Sequence, residues 1–194
     1  MNTFQRIRQL TPWQQAAFAS ALCERMLPNY LLYQEVSGEG DYQTLRNLLN
    51  LAWEWLSVPK TRINQETQQE KLEEVTPNTN ESSPLGYLLA LDCCVALSSL
   101  LQSLAAKADP EGLTISKLSQ SSVSRFLEST DCLDIAPEAL EDAINQHPLM
   151  AFEQEVQNEL LDLLERNEEG DKSLCVQLKK LALEEGISNI GLEL

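Results

Sequence analysis

Residues 88–101 read LLALDCCVALSSLL, which places one carboxylate and two adjacent thiols among mostly apolar side chains. Such a group could be a reactive thiol site, or it could belong to the central helix of a helical domain that tolerates one buried acid. On a helical repeat, the positions three and four residues from Cys93 and Cys94 are mostly leucine and alanine. Thiols in these surroundings behave as small hydrophobic side chains with a raised pKa, so we expect core packing rather than reactivity.

Asp92 raises a second chemical question, because its helical neighbours are leucine, valine and alanine. A lone buried carboxylate is costly, so it needs a cationic or hydrogen-bonding partner, or its pKa rises. The candidate cations near apolar helices are Arg25 and Arg46, and Glu24 and Glu54 lie in the same predicted helices. Two arrangements remain open: a closed arginine–carboxylate network that pins three helices together, or a polar cavity that binds a small ligand.

Several other chemistries are disfavoured by what the sequence contains. The single histidine, His147, stands directly before Pro148 without a catalytic motif around it, so we expect a helix-cap or surface residue. The five cysteines are odd in number and lack a C-x-x-C spacing, which argues against a disulfide framework and a structural zinc site. No glycine-rich nucleotide-binding loop follows a strand. The sequence therefore predicts no metal and no cofactor, and it favours a non-enzymatic protein over an enzyme.

The elements that must position these residues all read with a helical repeat, and no segment alternates as a strand would. One helix should begin at Thr11, which forms a capping box with Gln14, and Pro28 should break or kink it. A long central helix is predicted over about 84–108, and the last helix should end with Gly186 in the C′ position. The sequence thus predicts an all-α, single compact domain over residues 1–194, with seven to nine helices.

Two further segments carry predictions about packing. The helix that begins at Pro148 has an apolar stripe, and its acidic residues, from Glu153 to Glu169, are assigned to its other faces. The terminal segment ISNIGLEL is apolar enough that we expect it to pack back on the domain. The predicted stripe consists of Leu149, Phe152, Val156, Leu160 and Leu163.

The charge of the chain is its unusual bulk property, with a formal net charge of −16 over 194 residues. Residues 1–62 hold six basic and five acidic side chains, whereas residues 63–194 hold eight basic and 25 acidic ones. This balance disfavours binding to nucleic acid or to an anionic membrane. It is typical of an acidic soluble protein, and an acidic face that docks a basic partner is the alternative. Without an apolar leader or a disulfide pattern, we expect a cytoplasmic protein.

Five blocks of the sequence resemble the YjaG-like family, a bacterial family of small, acidic proteins of unknown function. They are LCERMLPNY (22–30), GDYQTLRNLLNLAWEWLSV (40–58), QEKLEEVTP (69–77), LDCCVALS (91–98) and SNIG (188–191), in this order along essentially the whole chain. The resemblance implies an all-helical fold and a bacterial cytosolic setting, and it implies no activity, cofactor or catalytic residue. The motif positions in this chain are Glu24, Arg25, Pro28, Asn29, Tyr30, Asp41, Arg46, Trp53, Glu54, Asp92, Cys94, Ser98, Asn189 and Gly191.

The sequence leaves two functions open. The first is a non-enzymatic helical module that binds another protein or self-associates, and a homodimer is expected from the apolar C-terminal tail and the near-neutral N-terminal third. The second is a small-molecule binder or enzyme with a polar site formed by Glu24, Arg25, Arg46, Glu54 and Asp92. The wider set predicted to form either a buried polar network or a pocket is Glu24, Arg25, Asn29, Tyr30, Asp41, Arg46, Glu54, Asp92 and Asn189.

Overall fold

Most of the described backbone is helical, as the periodicity predicts. The computed structural model describes residues 2–80, 82–106, 111–167, 170–183 and 186–193. Within these ranges there is no strand, only one isolated antiparallel bridge between Ile187 and Glu193. The predicted all-α class is confirmed. The helices in the described ranges are α1 (Thr3–Gln9), α2 (Pro12–Ser37), α3 (Tyr42–Ser57), α4 (Gln65–Val75), α5 (Leu85–Ala106), α6 (Gly112–Glu128), α7 (Pro137–Gln146), α8 (Pro148–Glu165) and α9 (Lys172–Ala182).

The helix starts follow the capping residues of the sequence. Thr11 accepts a hydrogen bond from the Gln14 amide at 3.3 Å, and its own amide donates to Gln14 Oε1 at 2.9 Å, which confirms the capping box of α2. His147 accepts from the Leu149 amide through Nδ1 at 3.1 Å and so caps α8. Each cap satisfies an amide that the first helical turn leaves without a partner. The single histidine therefore has the helix-capping role expected of it.

Of the break or kink predicted at Pro28, the break does not occur, because α2 continues through Pro28 and ends before Gly38. It runs for 26 residues with Pro28 inside it, although proline cannot donate to the Glu24 carbonyl and costs about 3 kcal/mol in a helix interior. The helix is buried on most sides, against α3, α5, α6, α8 and α9, and this packing outweighs the local penalty. In the same turn, the Arg25 carbonyl accepts a hydrogen bond from the Asn189 amide at 3.2 Å.

The core is organised by α2 and α5, which pack along each other and contact most of the remaining helices. The predicted central helix is observed from Leu85 to Ala106, and positions 107 and 108 of the prediction lie outside the described residues. By length and composition α5 is apolar enough to cross a membrane, but 61% of its most apolar window is buried inside the fold. The core helix of a soluble protein can be as long and as apolar as a membrane-spanning helix.

α8 presents a different face to the core than its apolar stripe predicts. Leu149, Phe152 and Leu163 are only half-buried, whereas Glu153, assigned to an outer face, is fully buried. The predicted stripe does not match the buried face because that face of α8 is partly polar. Its polar side chains form hydrogen bonds with side chains of α2 and α6, so the apolar residues alone do not identify the buried face. The buried residues of α8 are Met150, Glu153, Val156, Gln157, Leu160, Leu161 and Leu164.

The C-terminal end of α9 also departs from its prediction. The helix ends at Ala182, four residues before Gly186, which has a left-handed φ of +69° but does not follow the helix directly. The guanidinium of Arg25 donates to the Ala182 carbonyl at 2.7 Å, and a cation at this end of a helix is favoured by the helix dipole. Beyond it, Ser188, Asn189 and Ile190 are buried, so the tail does pack back on the fold as expected.

Candidate functional site: paired charges around α2

Glu24 and Arg46 form the first of three charged clusters, between α2 and α3. Arg46 donates to both carboxylate oxygens of Glu24, at 2.6 and 2.8 Å, and Trp53 Nε1 donates to Oε1 at 2.6 Å. Glu24 is 4% exposed and Arg46 is half-buried. Lys179 of α9 lies over the Trp53 ring, 5.0 Å from its centre, and burial lowers its pKa while the charge of Glu24 opposes that shift. The bidentate geometry is the strong form of an arginine–carboxylate pair.

Arg25 and Glu153 form the second cluster, in the centre of the fold. Their side chains are both 0% exposed, and Arg25 Nε donates to Glu153 Oε2 at 2.8 Å. The other oxygen, Oε1, accepts from Ser119 Oγ at 2.7 Å and from Gln157 Nε2 at 2.8 Å. The guanidinium also lies 5.3 Å from the centre of the Phe152 ring. A buried ion pair needs this saturation by additional hydrogen bonds, because both ions have lost their water.

Asn189 extends the Arg25–Glu153 cluster into the C-terminal tail. Its Oδ1 accepts from Asn29 Nδ2 at 2.9 Å, and its Nδ2 donates to the carbonyl and the hydroxyl of Ser119 at 3.2 and 3.1 Å. The network therefore joins α2, α6, α8 and the tail. Within the described ranges, Arg25 Nη2 and Asn29 Oδ1 have no protein partner. Buried polar atoms of this kind are commonly satisfied by internal water.

Asp92 belongs to a third cluster, and its predicted partners are wrong. It accepts a hydrogen bond from Ser122 Oγ at 2.8 Å and lies 3.5 Å from Arg125 Nε, rather than pairing with Arg25 or Arg46. Those two arginines are already neutralised by the glutamates of the other clusters. Burial raises the pKa of Asp92, and the Ser122 hydroxyl and the charge of Arg125 partly oppose the rise. Since the Arg125 side chain is 40% exposed, this pair sits at the edge of the core.

The remaining predicted residues lie elsewhere. Tyr30 donates to the Val75 carbonyl at 2.5 Å and accepts from the Asp41 amide at 3.1 Å, so it holds the turn before α3. The Asp41 carboxylate caps α3, and its hydrogen bonds to Thr44 lower its pKa. Glu54 is exposed and lines a groove of about 510 Å³ between α3 and α4. The predicted set is therefore distributed over five places and does not converge on one cavity.

The polar residues of α6 and α8 were missed by reasoning from the sequence. The serines had a detectable signal, because they recur every third residue on a helix whose other buried positions are apolar. Glu153 and Gln157 are one turn apart on α8 and could have been paired with that serine face. The structure adds these residues to the predicted set: Ser116, Ser119, Ser122, Arg125, Glu153 and Gln157.

The thiols are core residues, as expected. All five cysteines are free and buried, and burial raises the pKa of Cys93 well above its ordinary value and that of Cys94 to about 12. A thiol with such a pKa carries almost no thiolate at neutral pH, and the thiolate is the reactive form. Among the residues that the structure describes, no group of three histidine, cysteine or acidic side chains is placed to hold a metal ion.

Comparisons with known proteins all identify the same family. The family model described as "Protein of unknown function (DUF416)" matches residues 2–193. The uncharacterized protein YjaG of Escherichia coli K12 is 36% identical over 188 residues, covering 96% of this chain and 94% of its own. An uncharacterized Haemophilus influenzae protein is 36% identical over 190 residues, covering 97% and 95%. The crystal structure of a DUF416 family protein from Shewanella baltica OS155 superposes with a TM-score of 0.91 at 38% identity, over the full length of both chains. The resemblance found in the sequence is confirmed.

Proposed function

Because this chain belongs to the DUF416 family, whose function is unknown, we propose its function from the geometry. We propose that it is a single-domain, non-enzymatic helical module of the cytoplasm that binds another protein. Its first partner is a second copy of itself. The observation that carries the proposal is the outer face of α5. This face is uncharged in a chain whose residues are 23% charged.

The outer face of α5 is formed by residues that are not buried, although α4 and α6 both contact this helix. Asp92 is the single charged residue of α5, and it points inward to Ser122. Val95 is 45% exposed, Gln102 is exposed, and the other members of the face are half-buried. An uncharged, largely apolar strip on an otherwise highly charged surface is typical of a protein–protein contact. The α5 face consists of Leu88, Leu91, Val95, Ser99 and Gln102.

A second copy is a partner that the uncharged α5 face can accommodate despite the charge of the chain. Two chains of net charge −16 repel each other, so they can approach closely only through a face that carries no charge of its own. A two-fold interface brings the same patch of both copies together, and an uncharged apolar patch is complementary to itself. The tail, which the sequence suggested as part of a dimer surface, is buried at Ser188, Asn189 and Ile190, and the α5 face is the candidate that we favour.

The alternative, a small-molecule site built from the core charges, has less support. Glu24 is saturated by Arg46 and Trp53, and Arg25 is paired with Glu153 in a closed cluster. Side chains that neutralise one another in separate clusters leave no convergent polar groups for a ligand. Five free cysteines support a reducing compartment for the module.

Light scattering coupled to size-exclusion chromatography tests the proposal. We expect a mass near twice 21.8 kDa for the wild type at moderate salt. Val95→Glu should give the monomer mass, because it places a charge of equal sign on both sides of the interface. Val176→Glu is the matched control: this valine is 60% exposed on α9, and its substitution should leave the dimer intact. A monomeric wild type, or a dimer that Val95→Glu does not weaken, would contradict the proposal.

A further inference from the structure

A groove of about 420 Å³ lies where the turn after α3 meets the C-terminal end of α5. Its apolar walls are formed by Trp55, Ile63 and Leu104, and its rim carries Lys60 and Arg62. Among the described residues that line this groove, none is acidic. That is unusual in a chain with 30 acidic and 14 basic residues, so the groove is a local basic site in an acidic protein.

The two cations at this groove are available to a ligand. Lys60 and Arg62 are both exposed, and the ion pairs found within the described ranges involve other basic side chains. Trp55 is half-buried, so part of its indole ring faces the groove while the rest packs on the core. An aromatic wall beside two exposed cations can hold an apolar side chain and the carboxylates next to it.

We propose that this groove binds a short acidic segment of another protein, in which one apolar side chain is flanked by one or two carboxylates. The apolar side chain would lie against Trp55 and Leu104, and the carboxylates would pair with Lys60 and Arg62. Nucleic acid fits less well, because two cations cannot offset the repulsion between a phosphate backbone and a chain of net charge −16. This binding goes beyond self-association through α5, because the cations and the aromatic wall of the groove come from α3 and the turn after it, whereas the α5 face is formed by α5 alone. Val95, which the control below changes, is ten residues, about 15 Å, from Ala105 at the groove.

The test is an NMR titration of the full-length protein with the peptide acetyl-Glu-Glu-Leu-amide. We expect saturable shifts of the Trp55 indole N–H and of the amides of residues 60–63. Acetyl-Lys-Lys-Leu-amide should cause no saturable shift at these positions. Reversing both charges with Lys60→Glu and Arg62→Glu should weaken binding at least about tenfold, as expected for two lost charge contacts. Lys172→Glu, which changes an exposed lysine on α9, should bind like the wild type.

Each of these results would overturn the proposal: no saturable shift at the groove, equal binding of the basic peptide, or unchanged binding by the charge-reversed variant. Saturation by inorganic phosphate or adenosine monophosphate, without saturation by the acidic peptide, would identify an anion site and also overturn it. Repeating the titration with Val95→Glu separates this result from the proposed self-association. That variant should bind the acidic peptide as the wild type does, whatever its oligomeric state.

Discussion

Arg25 is charged, although its side chain has no exposed surface. Neighbouring groups offset the free-energy cost of burying this charge. Glu153 neutralises the charge, the Ala182 carbonyl accepts a second N–H, and the Phe152 ring covers one side of the guanidinium. Glu153 in turn has hydrogen bonds to both of its oxygens. Because each group satisfies the others, the loss of one leaves a buried charge unmatched.

Glu153→Ala is therefore expected to be strongly destabilising. Removing one member of a buried ion pair typically lowers the free energy of unfolding by about 3–5 kcal/mol. The control is Glu155→Ala, two residues along on the exposed side of α8, which should change the free energy of unfolding by less than about 0.5 kcal/mol. Urea denaturation of both variants measures the difference. Equal midpoints for the two variants would contradict the role assigned to Glu153.

Asp92 is expected to respond differently, because burial raises its pKa. A raised pKa in the folded state means that the folded protein binds this proton more tightly than the unfolded chain. Stability from this group is present at low pH and is lost as the pH rises from about 4, the ordinary pKa of aspartate, through the raised value. Asp92→Asn should remove this loss and keep an acceptor for Ser122, so its free energy of unfolding at pH 8 should equal or exceed that of the wild type.

Asp92→Ala completes the comparison, because it leaves the Ser122 hydroxyl without an acceptor. The unsatisfied buried hydroxyl should lower the free energy of unfolding by about 1–3 kcal/mol. Urea melts between pH 5 and pH 8 measure both variants. A loss of more than about 2 kcal/mol for Asp92→Asn at pH 8 would show that attraction to Arg125 outweighs the cost of burying the carboxylate.

Helices α6 and α8 illustrate how an element can be buried through polar contacts. The serines of α6 face Asp92 of α5 and Glu153 and Gln157 of α8, so the interface between these helices depends on matched hydrogen bonds as well as apolar packing. The tail joins the same interface through Asn189. We conclude that the tail holds α2 and α6 together and is part of the folded core.

Asn189→Ala tests the role of the tail. It removes the acceptor for Asn29 and the donor to Ser119, so buried polar atoms on two helices lose their partners. We expect the free energy of unfolding to fall by about 1–3 kcal/mol, and amide protons of residues 186–193 to exchange faster with solvent. Asn47→Ala, at an exposed position on α3, is the control and should have little effect. Unchanged exchange in the tail of Asn189→Ala would contradict this role.

The molecule as a whole combines a core of paired charges with a surface of unpaired negative charge. The basic residues of the centre are matched one to one by acids, so the net charge of −16 lies mostly on the exterior and mostly after residue 62. Repulsion among surface carboxylates opposes folding, and dissolved salt screens it. Among the described residues, neither those of the α5 face nor those that line the groove beside Trp55 include an acidic side chain.

Salt is therefore expected to stabilise the folded protein at pH 7. Raising sodium chloride from 0.01 M to 0.15 M shortens the screening length from about 30 Å to about 8 Å, and the free energy of unfolding should rise by roughly 1 kcal/mol, the scale of surface charge interactions. Thermal melts at several salt concentrations measure this. The same series near pH 4.4, where the net charge approaches zero, is the control and should show little dependence. A fall in stability with salt at pH 7 would indicate that attractive surface pairs dominate.

The sequence by itself determined the local structure. The all-α class, the capping box at Thr11, the burial of Cys93 and Cys94 and the inward packing of the tail all follow from periodicity, capping residues and apolar neighbours. These are short-range properties, because each depends on residues within a few turns of one another. The family resemblance followed from the same residues.

The pairing of the charges was decided only by the tertiary structure. Arg25 meets Glu153 across 128 residues of chain, and Asp92 meets Ser122 and Arg125 rather than the arginines of α2 and α3. Polar residues on α6 and α8 are buried because a complementary group faces them, and a helical pattern read alone assigns such residues to the surface. The uninterrupted course of α2 through Pro28 has the same origin, since long-range packing on several sides outweighs the local cost of proline.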